Sequence, residues 1–432
     1  MGYELGGFVV AATLVLACGP LFMRRAVVLY GPRLVFAALL LRVVGTLVRE
    51  VVVFGLYEGF GDVSAYYEDG LLMARRLWAF DLEPLTPAYW FGDAHWWGTP
   101  FMEKLSGLAV TLTGPSRLAA ALLFSMLTFA GLCLMLAAFA RGSGAGVARL
   151  YAPWLWLWPS LVYWPSTIGK EAVAIFALGL VTYGFVGSGR QIRWLPFLAG
   201  FALAFAIRPH MAVVIAVAAL ASRWLASWQR FDARRFVEAM LFVVLTAGAL
   251  AAMSASFDLG DPEVGGARGF IAARAQKTSG GGSAIAQVPL GVLGIPFALA
   301  NVWLRPFPWE FHNATSLFAA LEMVLLWAAI WRHRRGVGVV LREWRRSRLL
   351  TFALPLLLAY SVMIGLSFAN LGLIARQRTP VFPFLFMVLA VAALARAGAA
   401  APALPNAPEH LVSPRELGGG APAPRGAGGR GD

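Results

Sequence analysis

The chain has 432 residues, of which 59% are hydrophobic and only 13% charged. Soluble domains carry roughly a quarter charged residues, so this composition excludes a string of soluble domains and requires a chain that faces lipid. The net charge of +14 raises nucleic acid as a partner, until the position of each charge is settled.

In chain order, apolar stretches lie at about 4–22, 34–56, 116–140, 148–165, 171–187, 193–207, 210–227, 236–256, 313–331, 349–367 and 379–397. A span needs about 20 residues. The pattern predicts an all-α polytopic membrane protein with about 11 transmembrane helices, within a range of 10–12, in a bundle over residues 1–398. The pair 193–207 and 210–227 is short and splits at Arg208-Pro209-His210, where proline lacks an N–H and restricts the residue before it. The first stretch has no arginine before it and no clear small-residue cleavage site, so it reads as a retained helix. Residues 399–432 are Ala/Pro/Gly-rich, the composition of a disordered tail. Cys18 and Cys133 both fall in apolar stretches, which indicates neither a disulfide framework nor a metal site.

Eleven spans put the termini on opposite sides, and the positive-inside rule selects the N-terminus outside and the C-terminus in the cytoplasm. The inner segments then hold 22 basic and 6 acidic residues, and the outer ones 12 basic and 14 acidic. Arg42, Arg49, Glu50 and Glu322 fall within spans. The charge excess is therefore mostly a topology signal, and nucleic acid is not required.

Two outer loops are long, 57–115 and 257–312. Loops of that length in a bundle are unusual unless functional. Val63–Phe80 repeats apolar residues at helical spacing, as a helix lying along the membrane surface would, and Pro289–Trp303 is predicted to be a second interfacial or shallow re-entrant helix. The first loop opens with Glu58 and Asp62, followed by Tyr66, Tyr67, Glu68 and Asp69. A carboxylate at the lipid–water boundary can accept a proton from an attacking hydroxyl; Asp62 also suits a helix N-cap or an ordinary solvated loop. Farther on, Trp90-Phe91-Gly92-Asp93-Ala94-His95-Trp96-Trp97 provides interfacial anchors, and such faces also stack on sugars or cover a polyprenyl chain.

Cations return on the outer side at the span ends: Lys170 beside Glu171, Arg208 with His210, Arg305 with Glu310, and Arg376-Gln377-Arg378. Each has a structural alternative in pairing, capping or snorkelling. Together, against the topology rule and opposite an acidic loop, they point to an anionic ligand, and phosphate matches guanidinium bidentately. Gln276–Ser283 is Gly-rich but lacks the flanking strand and spacing of a nucleotide-binding loop, so it reads as a hinge.

This order of features resembles the GT-C superfamily of multi-span glycosyltransferases, which use polyprenyl-phosphate-linked sugars in bacterial cell-envelope and exopolysaccharide assembly. A span ends in Gly-Asp, a Tyr-bearing surface helix follows, and Arg376-Gln377-Arg378-Thr379-Pro380 precedes the last span. The resemblance covers about residues 30–397. It implies an inverting transferase at the outer face of the cytoplasmic membrane, with a polyprenyl-phosphate-sugar donor, a glycan or lipid-linked acceptor and the bilayer as partners. Asp62 carries over as catalytic base, and Arg376 and Arg378 as late basic residues on the lipid phosphate. The chain departs from the pattern in an extra span before the acidic loop, and in Asp62 standing alone unless Glu58 or Glu68-Asp69 supplies its partner. A divalent cation, Mg or Mn, could bridge Asp62 and phosphate. The alternatives are a Wzy-like polymerase or ligase working through the arginines with His210 or His312, and a transporter or flippase for an anionic lipid-linked glycan.

Overall fold

A computed structural model describes residues 2–57, 61–93, 95–187, 191–227, 233–256, 266–280 and 283–396. Glu58 and the 399–432 tail lie outside the described residues. The described chain is all-helical, with an isolated β bridge between Ala284 and Asn370.

The helices run, in order, α1 (Gly2–Phe22), α2 (Arg24–Tyr30), α3 (Pro32–Glu50), α4 (Asp62–Trp78), α5 (Pro87–Phe91), α6 (Thr99–Thr113) and α7 (Arg117–Ser143). Then come α8 (Ala145–Leu157), α9 (Pro159–Tyr163), α10 (Lys170–Val186), α11 (Trp194–Ile207), α12 (Pro209–Ser227) and α13 (Ala233–Ser256). The chain continues through α14 (Gly266–Thr278), α15 (Ile295–Trp303), α16 (Ala314–Glu343), α17 (Arg348–Ser367), α18 (Leu371–Gln377) and α19 (Phe382–Arg396).

Six helices among the described residues are long and apolar enough to cross a membrane: Tyr3–Phe22, Arg117–Ser143, Phe236–Ala255, Ala314–Glu343, Arg348–Ser367 and Leu371–Ala395. Several expose large apolar side chains, such as Val10 and Leu14 on α1, Val237 and Val244 on α13, and Leu321 and Leu325 on α16. This is a membrane-embedded helical protein. The other five apolar stretches also form helix but fall short of that standard. The α3 helix carries Arg33, Arg42, Arg49 and Glu50; α10 and α11 have 17 and 14 residues; Pro209–Leu225 is shorter than a full span. The stretch 148–165, expected as one span, is broken into α8 and α9, because Pro159 cannot supply the N–H that would continue α8.

The break explains three of the four charges read inside spans. A helix interrupted within the bundle leaves backbone groups that lipid cannot satisfy. Glu322 on α16 accepts the Ser160 N–H at 2.6 Å and the Ser160 hydroxyl at 2.5 Å. Arg42 on α3, fully buried, donates to the Leu161 carbonyl at 2.7 Å. Arg49 donates to the Tyr163 hydroxyl at 2.8 Å and lies over the rings of Tyr163 and Trp164. Glu50, the fourth charge that the sequence reading puts within a span, pairs with Arg117 at the start of α7.

Two close helix contacts fix the parts that carry polar side chains. Gly131 on α7 and Gly179 on α10 let the backbones touch: a Cβ on Gly179 would come within 2.4 Å of the Gly131 carbonyl oxygen. Small residues serve this purpose in membrane helices. On the first long loop, α4 lies against α6 through Gly70, whose Cβ would meet the Gly107 nitrogen at 2.9 Å. The surface helix predicted at Val63–Phe80 is thus α4, with Val63, Tyr66, Gly70, Met73 and Ala74 on its buried side. The second amphipathic piece, expected over Pro289–Trp303, forms regular α-helix only from Ile295.

Candidate functional site

The 17-residue helix α10 begins with Lys170 and Glu171, after Gly169. Glu171 is 1% exposed and sits at the centre of an ion network. Its Oε1 accepts from Arg208 Nη2 at 2.6 Å, and its Oε2 accepts from Arg376 Nη2 at 2.9 Å. The same Arg376 nitrogen lies 3.7 Å from Oδ2 of Asp62.

Each side chain is placed by a local feature. Asp62 is the first residue of α4, and Gly61 before it holds a positive φ of 130°, a conformation that glycine adopts without a Cβ clash. Its side chain is 59% exposed, so one end of the network is open. Arg208 is the single residue between α11 and α12; the Arg-Pro sequence forces the break, and the guanidinium enters the bundle with only 6% exposure. Arg376 lies in the last turn of α18. Lys170 donates to the Thr99 hydroxyl at 3.0 Å and stands 5.8 Å above the ring of Tyr66, itself 2% exposed. Burial, and then the Asp62 carboxylate, hold the Tyr66 hydroxyl above its ordinary pKa.

Of the residues singled out in the sequence, the structure thus gathers Asp62, Tyr66, Lys170, Arg208 and Arg376. Glu171 joins them as the hub. His210 occupies the first turn of α12, within electrostatic reach of Arg208 and Lys170.

Arg305, Glu310 and Arg378 form a different arrangement. Arg305 Nε donates to both Glu310 oxygens at 2.9 and 3.1 Å, and Glu310 also accepts the Phe307 N–H at 2.7 Å. Burial pushes the Glu310 carboxyl up, but the Arg305 hydrogen bond and the Phe307 N–H outweigh it and hold the group below its ordinary value. Arg378 is fully buried and donates through Nη1 to the carbonyls of Val302 and Arg305, at 2.9 and 2.7 Å. It ties the α18–α19 link to the end of α15.

Buried guanidinium donors without a partner occur at several places among the described residues, on Arg42 and Arg378 among others, and one of them belongs to the Glu171 network. Arg208 Nη1 is buried and has no hydrogen-bond partner. An unpaired buried N–H costs about 1–3 kcal/mol, more when charged. Glu171 lies in the first turn of the 17-residue helix α10, and the helix N-terminus, with Lys170, Arg208 and Arg376 beside it, favours negative charge.

Beside the network lies an aromatic shelf. Gly98 N–H donates to the Ala206 carbonyl at 2.7 Å, which holds the loop before α6 against the end of α11. Trp96 and Trp97 there flank Phe205 at 6.2 and 6.4 Å between centroids. A separate cavity of about 40 Å³ lies beyond α18, lined by Trp164, Ser283, Glu310, His312 and Ser316 among others. His312 Nε2 is 3.3 Å from the Ser283 hydroxyl there. None of Asp62, Lys170, Glu171, Arg208 or Arg376 lines this cavity, so the charged site is defined by its side chains and not by this concavity.

Among the described residues, no group of three or more His, Cys, Asp or Glu side chains gathers in a way that could hold a metal ion. Glu171, which Arg376 links to Asp62, is occupied by two arginines. These residues do not fit a resident divalent cation. No protein-family model, curated protein or solved structure matches the chain.

Proposed function

We propose that this protein is a membrane glycosyltransferase that moves a sugar from a polyprenyl-phosphate-linked donor to an acceptor hydroxyl at the outer face of the bacterial cytoplasmic membrane. One observation carries the reading. The exposed carboxylate of Asp62 and the buried guanidinium of Arg208, which keeps Nη1 without a hydrogen-bond partner, are linked through Arg376 and Glu171. A base and an anion site that share a contact are what glycosyl transfer from a lipid phosphate needs.

In this mechanism the isoprenoid tail lies among the helices, and the donor phosphate lies at the start of α10 against Lys170, Arg208 and Arg376. Asp62 takes the proton of the acceptor hydroxyl, whose oxygen attacks the anomeric carbon. The bond from that carbon to the phosphate oxygen breaks with inversion, and its electron pair leaves with the polyprenyl phosphate. The three cations stabilise charge as it develops on the leaving group. Trp96 and Trp97 lie where an acceptor ring could stack. The test is transfer activity of Asp62→Asn and Arg376→Gln in membranes. The expected loss is about 10²–10³-fold for each, and full activity of Asp62→Asn sinks the assignment.

A Wzy-like polymerase or ligase is the second reading, favoured by His210 standing within reach of Arg208 and Lys170. It predicts that Asp62 is dispensable while His210→Ala and Arg208→Gln are inactive. A transporter would use the same cations without chemistry. The gathering of Asp62, Lys170, Arg208 and Arg376 at one end of the helices favours a one-sided site over a path.

A further inference from the structure

The second long loop supplies a cation that the function above does not use. Helix α14 carries Arg274, whose guanidinium lies over the ring of Phe368 at 5.2 Å. The segment after α14 is fastened to the chain that leads into α18. Thr278 Oγ1 accepts the Ala369 N–H at 3.1 Å, the Gly280 carbonyl accepts from Asn370 Nδ2 at 3.1 Å, and the Ser283 carbonyl accepts the Leu371 N–H at 2.9 Å. Ile285 N–H returns a bond to the Ala369 carbonyl at 3.0 Å. Arg274 is therefore held against the same segment that positions Arg376 five residues past Leu371.

Its electrostatic surroundings are unusual. Among the described residues Arg274 has no carboxylate partner, and the charges acting on it and on His210 are positive. Burial, and then the positive charge of Arg208, lower the Arg274 pKa. Lys170, Arg208, Arg274 and Arg376 thus share one region. Among the described residues only Glu171 and Asp62 come within ion-pair distance of any of them, and Glu103 lies on the flank of Lys170. The four cations remain in excess over these carboxylates, and an anion between them relieves the residual repulsion.

We infer that Arg274 is a fourth phosphate ligand, delivered by the second outer loop, and that with Lys170, Arg208 and Arg376 it encloses the phosphate headgroup of a polyprenyl lipid. This rests on the proposed function for the nature of the ligand. The bonds from Thr278, Gly280, Ser283 and Ile285 to the 369–371 segment keep the helix that bears Arg274 in register with α18.

The experiment measures binding of undecaprenyl phosphate to the purified full-length protein in detergent, by thermal shift and by native mass spectrometry. Inorganic phosphate is run as a parallel ligand. Arg274→Ala should weaken undecaprenyl phosphate binding about tenfold or more, as loss of a charge-assisted hydrogen bond does. Arg274→Lys should recover part of that loss. Arg268→Ala, an exposed arginine on the same helix, should bind as the wild type. Lipid-free melting of Arg274→Ala should stay near the wild type, since among the described residues the guanidinium rests on the Phe368 ring without an ion-pair partner. If Arg376→Ala abolishes binding while Arg274→Ala binds as Arg268→Ala does, the Arg274 inference is overturned and the proposed function stands. If Arg376→Ala also binds as the wild type, the proposed function fails with it. Equal binding of inorganic phosphate and the lipid would overturn the lipid assignment.

Discussion

Glu171 and Arg376 are 205 positions apart in the chain and meet at 2.9 Å, in a pair that Arg208 completes from the other side of the carboxylate. The pairing joins the start of α10 to the end of α18, and the exposed Asp62 touches the same arginine. A buried carboxylate between two guanidiniums costs desolvation, which its geometry must offset. Glu171→Ala leaves Arg208 charged, buried and without a counterion. The expected loss of stability is about 3–5 kcal/mol, read as a lowered unfolding midpoint in detergent. A midpoint unchanged from the wild type would show that Glu171 does not hold the network.

The break between α8 and α9 makes a separate prediction. Glu322→Leu removes the acceptor of both the Ser160 N–H and the Ser160 hydroxyl. Each unsatisfied group costs about 1–3 kcal/mol, so the variant should unfold earlier and expose the 158–169 segment to hydrogen exchange. Glu322→Gln keeps an acceptor and should lose less.

The contact of α7 and α10 tolerates no side chain. Gly179→Val forces the helices apart at Gly131, and overpacking of this kind costs about 1–3 kcal/mol. A methyl group on Gly146 in α8 would meet nothing within 4 Å, so Gly146→Ala should leave the unfolding midpoint unchanged or slightly raised.

Much of this was legible in the sequence, for identifiable reasons. Helical spacing over 63–80 announced α4, and Arg208-Pro209 announced the break between α11 and α12. The excess of arginine in the remaining loops put Asp62, Lys170, Arg208 and Arg376 on one predicted side, and the structure brings these four together. The hub was not legible. Lys170 and Glu171 are adjacent, and nothing local distinguishes a solvated Glu from one that two distant arginines reach. The sequence places Arg378 beside Arg376, yet residues two apart in a helical turn point roughly 200° from each other. Arg378 accordingly serves the carbonyls of Val302 and Arg305 while Arg376 serves Glu171. Arg305 and Glu310 satisfy one another across five positions, a pairing short enough to have been read from spacing alone. Arg274 gave no signal beyond being an arginine on the predicted outer side.

The Arg305–Glu310 clamp sets a pH dependence for its loop. The Glu310 carboxyl is held below its ordinary value in the folded chain, so its contribution is complete above the unfolded carboxylate pKa of about 4.3. It is lost as pH falls through the depressed folded value. Hydrogen exchange at Phe307, whose N–H the carboxylate accepts, should show excess opening only on acidification below about pH 4. Glu310→Gln should remove that step.

The central claim is that Asp62 and the cations around Glu171 perform one glycosyl transfer. It is tested most directly by lipid analysis of a strain lacking this protein, complemented with the wild type or with Asp62→Asn. The account predicts that a polyprenyl-phosphate-linked sugar accumulates without the protein, disappears with the wild type, and persists with Asp62→Asn although that variant reaches the membrane in normal amount. Clearance of the lipid-linked sugar by Asp62→Asn at the wild-type level would contradict it.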